Sequence, residues 1–147
     1  MLAREGAAPV SGGSVRRMEL SKADLVWNRA ATDHGGSKPR EGDRALSALL
    51  LAHGLVMNGG VEHAIECLSE AELEAACEGF VFFGFGTVAA LLRSVEVPEF
   101  DDLAEDVDDK GGELDSEYSR LVPADSTLVA RFEKYYHERP FAFAPSE

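Results

Sequence analysis

Apolar residues recur along most of the chain at helical spacing, and no stretch alternates as a β-strand would. The clearest run opens at Asp43, where DRALSALLLAHGLVM places apolar side chains around most of a helix. Such a helix is usually buried on several sides, so we expect it at the centre of the fold. It should end at Asn58-Gly59-Gly60, because Asn and Gly readily adopt the left-handed conformation that stops a helix.

Shorter amphipathic segments surround this central helix in the sequence. Ser21 is typical of a helix N-cap before SKADLVWNRAA, and Ser69 with Glu72 forms a capping box for a second helix. The other stripes of apolar residues cover 61–68, 88–95, 114–122 and 128–136, and Phe141 with Phe143 should fold back on the core. The pattern predicts an all-α domain of about seven helices over residues 19–147, after a mobile tail at 1–18.

Glycines predict two interruptions in the second half of the chain. Gly84 and Gly86 lack the preceding strand and third glycine of a dinucleotide-binding loop, so they indicate a helix junction, with Thr87 capping the next helix. Gly111-Gly112 should break the helical pattern of the acidic segment around it.

The length and the apolar content of the chain are typical of a single globular domain. The 147 residues are 45% hydrophobic, and no apolar stretch approaches the roughly 20 residues that span a bilayer. The first 18 residues do not have the pattern of a secretory signal peptide, so we expect a cytoplasmic protein. Ten arginines against four lysines, one isoleucine and two asparagines are typical of a GC-rich bacterial genome.

The negative charge is concentrated in one segment. The formal net charge is −13, and residues 96–117 (EVPEFDDLAEDVDDKGGELDSE) contribute −10 of it, with 11 acidic and 1 basic side chains. Such a field repels nucleic acid and anionic membranes and attracts cations or basic proteins. On a helix, carboxylates three and four positions apart stand about 5–6 Å from one another. Two such rows are predicted: Glu99, Asp102, Asp106 and Asp109, and beside them Asp101, Glu105 and Asp108.

The sequence contains two incomplete metal-binding patterns. Residues 106–117 place Asp106, Asp108, Gly111 and Glu117 on positions 1, 3, 6 and 12 of an EF-hand loop, but Lys110 occupies a ligand position. His53 and His63, with Glu62 and Glu66 nearby, do not match a zinc motif, and the Asn-Gly-Gly turn separates the histidines. Cys67 and Cys77 match no metal or redox spacing. We therefore expect no specific metal site and no cofactor.

No recognised nucleophile motif or perturbed carboxylate pair indicates an enzyme. The junction Asn58-Gly59-Gly60 admits two interpretations. It is a tight helix–turn–helix connection, or its exposed backbone amides and the neighbouring His63 bind a ligand or partner, since binding residues often lie on such loops.

Three stretches carry a resemblance to a known family. They are DRALSALLLAHGLVMNGGVEHAIE, FVFFGFGTVAALL, and LDSEYSRL followed by LVARFEKYYHERPFAF. Between residue 43 and about residue 143 the chain resembles the DNA-mimic protein family of the DMP type. It departs from the family after the turn, where Val61, Ala64 and Ile65 replace aromatic residues, and over the first 42 residues.

The resemblance implies an all-helical acidic protein, able to form a homodimer, whose carboxylates stand in for DNA phosphates. Its partner would be a basic DNA-binding protein, a regulator or a nucleoid protein, and it would contact neither nucleic acid nor membrane directly. The expected partner-binding residues are Glu99, Asp101, Asp102, Glu105, Asp106, Asp108 and Asp109. The alternative is an immunity-type domain that binds a ligand or toxin through Asn58, Gly59, Gly60 and His63. A solvated acidic surface that only aids solubility is a third interpretation.

Overall fold

The computed structural model describes residues 21–95 and 107–145, which fold as helices packed on helices. These residues form seven α-helices, no β-strand and a final 3-10 turn, Pro140–Ala142. The predicted all-α fold is therefore confirmed, and the predicted tail at 1–18 lies outside the described residues. In chain order the helices are α1 Lys22–Asp33, α2 Glu41–Gly59, α3 Val61–Cys67, α4 Glu70–Phe82, α5 Gly86–Ser94, α6 Val107–Leu121 and α7 Asp125–Glu138.

The predicted capping residues start α1 and α4. The Ser21 hydroxyl accepts a hydrogen bond of 3.0 Å from the Asp24 amide, and the Asp24 carboxylate accepts one from the Ser21 amide. Ser69 and Glu72 make the same reciprocal pair at α4. These bonds satisfy amide groups that would otherwise lack a partner at the first turn of a helix.

Helix α2 is the central element, in contact with α1, α3 and α4. Leu46, Leu49, Ala52 and Val56 form its buried stripe. The helix begins at Glu41, two residues before the predicted start, because the Asp43 carboxylate accepts a hydrogen bond of 2.9 Å from the Arg40 amide. The helix is buried on several sides, as predicted, while one face stays open, with Leu51 44% exposed.

Asp43 also fixes the C-terminal segment. Its carboxylate is fully buried and accepts hydrogen bonds from Arg29 at 2.8 Å and from the Ala144 amide at 2.6 Å. Phe143 is buried as predicted, against Phe83 and other aromatic rings of the core. Phe141 is 70% exposed, so the prediction that it packs on the core was wrong. Of the two phenylalanine rings, only that of Phe143 faces the core.

Helix α6 runs through Gly111-Gly112 without the predicted break. A glycine inside a helix costs only about 1 kcal/mol relative to alanine, and packing can offset that cost. The helix buries Tyr118 and partly buries Leu114 and Leu121 against the core, so tertiary contacts outweigh the two glycines. A continuous helix over 107–121 also rules out the loop that an EF-hand requires at these positions.

The junction after α4 forms where it was predicted, but its cap differs. Gly84 has a φ of +83°, and the backbone turns there into α5. Phe85, not Thr87, precedes the helix, and Thr87 lies inside its first turn. The Phe83 carbonyl accepts a hydrogen bond of 2.8 Å from Arg131 on α7, which ties the junction to the last helix.

None of the helices over residues 21–95 and 107–145 is long and apolar enough to cross a membrane.

Candidate functional site

The structure describes only part of the predicted acidic site. Glu99, Asp101, Asp102, Glu105 and Asp106 lie outside the described residues. Positions 108 and 109 fall in the first turn of α6. Whether the two predicted carboxylate rows form one face therefore stays a prediction.

The Asn58-Gly59-Gly60 junction is a tight connection between α2 and α3. Gly60 has a φ of +99° and a ψ of 172°, a conformation that is essentially restricted to glycine. The Asp115 carboxylate, on α6, lies so close that a Cβ at position 60 would stand 2.9 Å from its oxygen. Glycine is therefore required here for its backbone conformation and for the close approach of α6.

Asp115 supplies the missing cap of α3. Its carboxylate accepts a hydrogen bond of 2.8 Å from the Val61 amide, the first amide of that helix. The preceding amide, Gly60, donates to the Val56 carbonyl at 2.7 Å. Of the junction amides that the binding interpretation needed, that of Gly60 is thus already engaged within the protein, and so is the Val61 amide that follows it. A shallow cleft of about 310 Å³ remains beside the junction, between Met57, Asn58 and Ser119.

His63 lies against the other glycine of the junction. A Cβ at Gly59 would stand 2.6 Å from the His63 ring, so the absence of a side chain at position 59 makes room for the imidazole. One turn later on α3, the exposed Cys67 sulfur lies 3.7 Å from Nε2 of His63. Over the described part of the chain, no three His, Cys, Asp or Glu side chains form a group that could hold a metal ion.

His53 does not join His63, because it belongs to a separate group with the buried Tyr118 and the exposed Asp125. Its Nδ1 lies 2.8 Å from the Tyr118 hydroxyl, and its Nε2 lies 2.8 Å from the Asp125 carboxylate. A neutral imidazole satisfies both contacts when Nε2–H donates to Asp125 and Nδ1 accepts the hydroxyl proton of Tyr118. Desolvation by burial raises the pKa of Tyr118 well above its ordinary value, and the nearby Asp125 charge raises it further. His53 on α2 is therefore joined by hydrogen bonds to Tyr118 on α6 and to Asp125 on α7.

An apolar groove runs along the open face of α2. Its volume is about 600 Å³, and it lies between the end of α1, the middle of α2 and the start of α4. Ala48, Leu51 and Leu55 line it, together with the charged residues Arg44 and Glu72. Gly54 also faces open space there, since a Cβ built at that position would meet no atom within 4 Å.

Comparisons with family models, with curated proteins and with solved structures find no match to this chain. The resemblance to the DNA-mimic family therefore stays a prediction that these comparisons neither support nor oppose.

Two contacts near the candidate sites could not be predicted from the sequence, because their partners are far apart in the chain. Asp115 was counted only as one of many carboxylates in the acidic segment, although 54 positions separate it from the amide that it caps. Tyr118 falls within the predicted apolar stripe over 114–122, which does not indicate the partner of its hydroxyl. A polar histidine inside the most apolar helix was the one available signal, because a buried imidazole needs hydrogen-bond partners from other helices.

Proposed function

We propose that this chain is a non-enzymatic acidic module that binds a basic DNA-binding protein by occupying the surface that would hold DNA. The observation that carries the proposal is the uneven distribution of charge over the described fold. Helices α3 to α6 and their connections, 61–95 and 107–121, carry 11 acidic and 3 basic side chains. The remaining described residues, 21–60 and 122–145, carry 7 acidic and 8 basic side chains.

The acidic side chains of this part of the fold lie on α3, α4 and α6, and these helices adjoin one another through α5, whose one charged side chain is Arg93. Helix α4 packs on α5, α5 packs on α6, and α6 packs on α3. We call α3 to α6 the acidic side. In the sequence, the strongly acidic segment 96–106 connects two of its helices, α5 and α6. A field of one sign over one side of a small protein steers an oppositely charged partner and speeds association.

Helix α4 offers a described row of carboxylates. Glu70, Glu74 and Glu78 follow one another at intervals of four residues, and all three are exposed. Neighbours at this spacing stand about 5–6 Å apart, a spacing of the same order as that of phosphates along a DNA strand. Like charges at this interval destabilise a helix by a few tenths of a kcal/mol. Arg93 of α5 donates to the middle carboxylate, Glu74, at 2.8 Å, and this ion pair offsets part of the repulsion. Glu70 and Glu78 flank the pair on the exposed face of α4.

The immunity-type alternative has less support from the junction geometry. The Gly60 and Val61 amides donate to groups of the protein itself, and both glycines are explained by local packing. The cleft beside Asn58 still allows a contact, so substitution of Asn58 remains a test of that alternative.

The experiment is capture from a bacterial lysate at low salt on immobilised chain, followed by elution with a salt gradient. The test variant replaces Asp101, Asp102, Glu105 and Asp106 by their amides. A control of equal net charge replaces Asp33, Glu41, Glu133 and Glu138, which lie off the acidic side. We expect the native chain and the control to retain basic DNA-binding proteins until the salt rises, and the test variant to lose them. Equal retention by both variants would contradict the proposal.

A further inference from the structure

Helix α2 carries a second apolar stripe beside its buried one. Ala48, Leu51 and Leu55 follow one another at intervals of three and four residues, so they share one face of the helix. They line the groove between α1, α2 and α4, and Leu51 is 44% exposed. We call these three residues the open stripe. From Ala48 to Leu55 it extends about 10 Å, which is two turns of a helix.

Small side chains border the open stripe. Ala31 of α1 and Ala75 of α4 line the groove on either side of it. Gly54 of α2 also lines the groove, and a Cβ built on it would meet no atom within 4 Å. The distance between the axes of packed helices depends on the side chains at the contact. These small residues therefore allow the backbone of an incoming helix to come close to α2.

One wall of the groove is acidic. Helix α4 has no basic residue and four carboxylates, those of Glu70, Glu72, Glu74 and Glu78. Glu72 lines the groove, and Glu78 follows the groove residue Ala75 by three positions, so it lies beside Ala75 on the same face. Both carboxylates are exposed. An occupant whose cationic side chains face α4 would therefore be attracted.

Two basic side chains of the groove are already engaged within the protein. Arg44 lines the groove, and its guanidinium donates to the Pro39 carbonyl at 2.9 Å. Both ring nitrogens of His53 are held by Tyr118 and Asp125. The groove therefore combines an apolar stripe on α2 with exposed negative charge on α4.

We propose that this groove is the docking site for a basic amphipathic helix of a partner protein. The apolar face of that helix would cover the open stripe, and its lysine or arginine side chains would face the carboxylates of α4. Amphipathic helices bind other proteins in this way, with one apolar face in a hydrophobic groove. The inference rests on the proposed function for the basic character of the partner, and it adds that the partner contributes a helix.

The test measures the binding of a designed peptide to the full chain by fluorescence anisotropy at low salt. The labelled peptide, of about 18 residues, has leucine on one face of a helix and lysine on the other. A second peptide has the same composition in an order that gives no apolar face, and a third has glutamate in place of lysine. We expect the first peptide to bind at least about tenfold more tightly than either of the others.

A substitution in the open stripe tests the apolar contact. Leu51→Gln should weaken binding of the first peptide by about tenfold or more, because it removes an exposed apolar side chain from the groove. Met57→Gln is the matched control, since Met57 is 64% exposed on the same helix and does not line the groove. That variant should bind the peptide as the native chain does.

Neutralising the acidic wall tests the charge contact. Glu72→Gln together with Glu78→Gln should weaken binding by about threefold at low salt and by less at high salt. Glutamine is also found at the Glu72 position of capping boxes, so the start of α4 should be kept. Glu133→Gln together with Glu138→Gln removes the same charge from α7 and should leave binding unchanged.

Circular dichroism of each variant establishes that it is folded before the titration. Equal binding of the three peptides, or binding that Leu51→Gln leaves unchanged, would overturn the docking site. Self-association of the native chain that Leu51→Gln abolishes, without binding of the peptide, would assign the groove to a second copy and also overturn it.

The peptide experiment contains no DNA, so its outcome is separate from that of the proposed function. A chain that releases proteins from DNA but binds no peptide would leave the proposed function standing and overturn the groove. A chain that binds the peptide through Leu51 but releases nothing from DNA would support the groove alone.

Discussion

The Asp115 carboxylate on α6 accepts a hydrogen bond of 2.8 Å from the Val61 amide at the start of α3. This contact joins the two features that the sequence marked as separate candidates, the acidic segment and the Asn-Gly-Gly junction. One carboxylate of the segment therefore joins α6 to the start of α3. Any test that neutralises the acidic segment must leave Asp115 in place, because its loss would confuse binding with stability.

Asp115→Ala should lower the free energy of unfolding by about 0.5–2 kcal/mol, the usual cost of losing a helix cap. The Val61 amide then loses its partner at the first turn of α3. Urea denaturation measures the change. Glu113→Ala removes an exposed carboxylate from the same helix and should change stability by less than about 0.5 kcal/mol. An equal effect of the two substitutions would show that Asp115 caps nothing.

Gly60→Ala should destabilise the protein by about 1–3 kcal/mol, because its φ of +99° is strained for any other residue. The added Cβ would also meet the Asp115 oxygen at 2.9 Å. Gly54→Ala is the matched control, since it lies within α2 and its Cβ would face open space. That substitution should stabilise the protein by about 0.4–1 kcal/mol. Thermal unfolding of both variants checks the opposite signs.

Tyr118→Phe should cost about 1–3 kcal/mol at neutral pH, because Nδ1 of His53 loses its buried hydrogen-bond partner. It should also change the alkaline limb of the stability curve. Burial raises the pKa of Tyr118 in the folded chain above the ordinary value of 10.0. Above about pH 10 the unfolded chain loses the phenolic proton while the folded chain keeps it. The contribution of Tyr118 to the free energy of unfolding therefore falls by about 1.4 kcal/mol per pH unit.

The measurement is urea denaturation between pH 8 and 11 of the native chain, Tyr118→Phe and the control Tyr136→Phe, whose side chain is half-buried. The native chain and the control should lose stability more steeply above pH 10 than Tyr118→Phe does. Parallel curves for all three would contradict the assignment.

Asp43→Ala should destabilise the protein by about 3 kcal/mol, because it removes a fully buried partner of Arg29. The figure is at the low end for a buried ion pair, since Arg29 is 20% exposed. The Ala144 amide also loses its acceptor, so limited proteolysis should cut the C-terminal segment more readily. Asp33→Ala, an exposed carboxylate at the end of α1, should leave both stability and proteolysis unchanged.

Helix positions were predictable because they depend on local signals. Apolar spacing located the helices, and the Ser21 and Ser69 caps located two of their starts. The glycine signal was less reliable, since Gly60 stops a helix while Gly111-Gly112 does not. The difference lies in tertiary contacts. Gly60 is held by the approach of α6, whereas Tyr118 and its stripe keep α6 helical through its glycines.

The candidate sites were predictable only in part. A local cluster of carboxylates is visible in the sequence, but the partner of each carboxylate is not. Nothing in the sequence distinguishes Asp115 and Asp125 from the other acidic residues, yet Asp115 caps α3 and Asp125 binds His53. The groove could not be predicted either, because the sequence shows that Leu51 and Leu55 are apolar but not which face of α2 stays open.

The central claim is that the acidic side competes with DNA for a basic protein. The most direct measurement loads immobilised duplex DNA with basic proteins from a lysate at low salt, then adds the purified chain and follows the protein that is released. We expect the native chain and the equal-charge control to release these proteins, and the variant neutralised at Asp101, Asp102, Glu105 and Asp106 to release far less. Release that is absent, or equal for all three chains, would contradict the account.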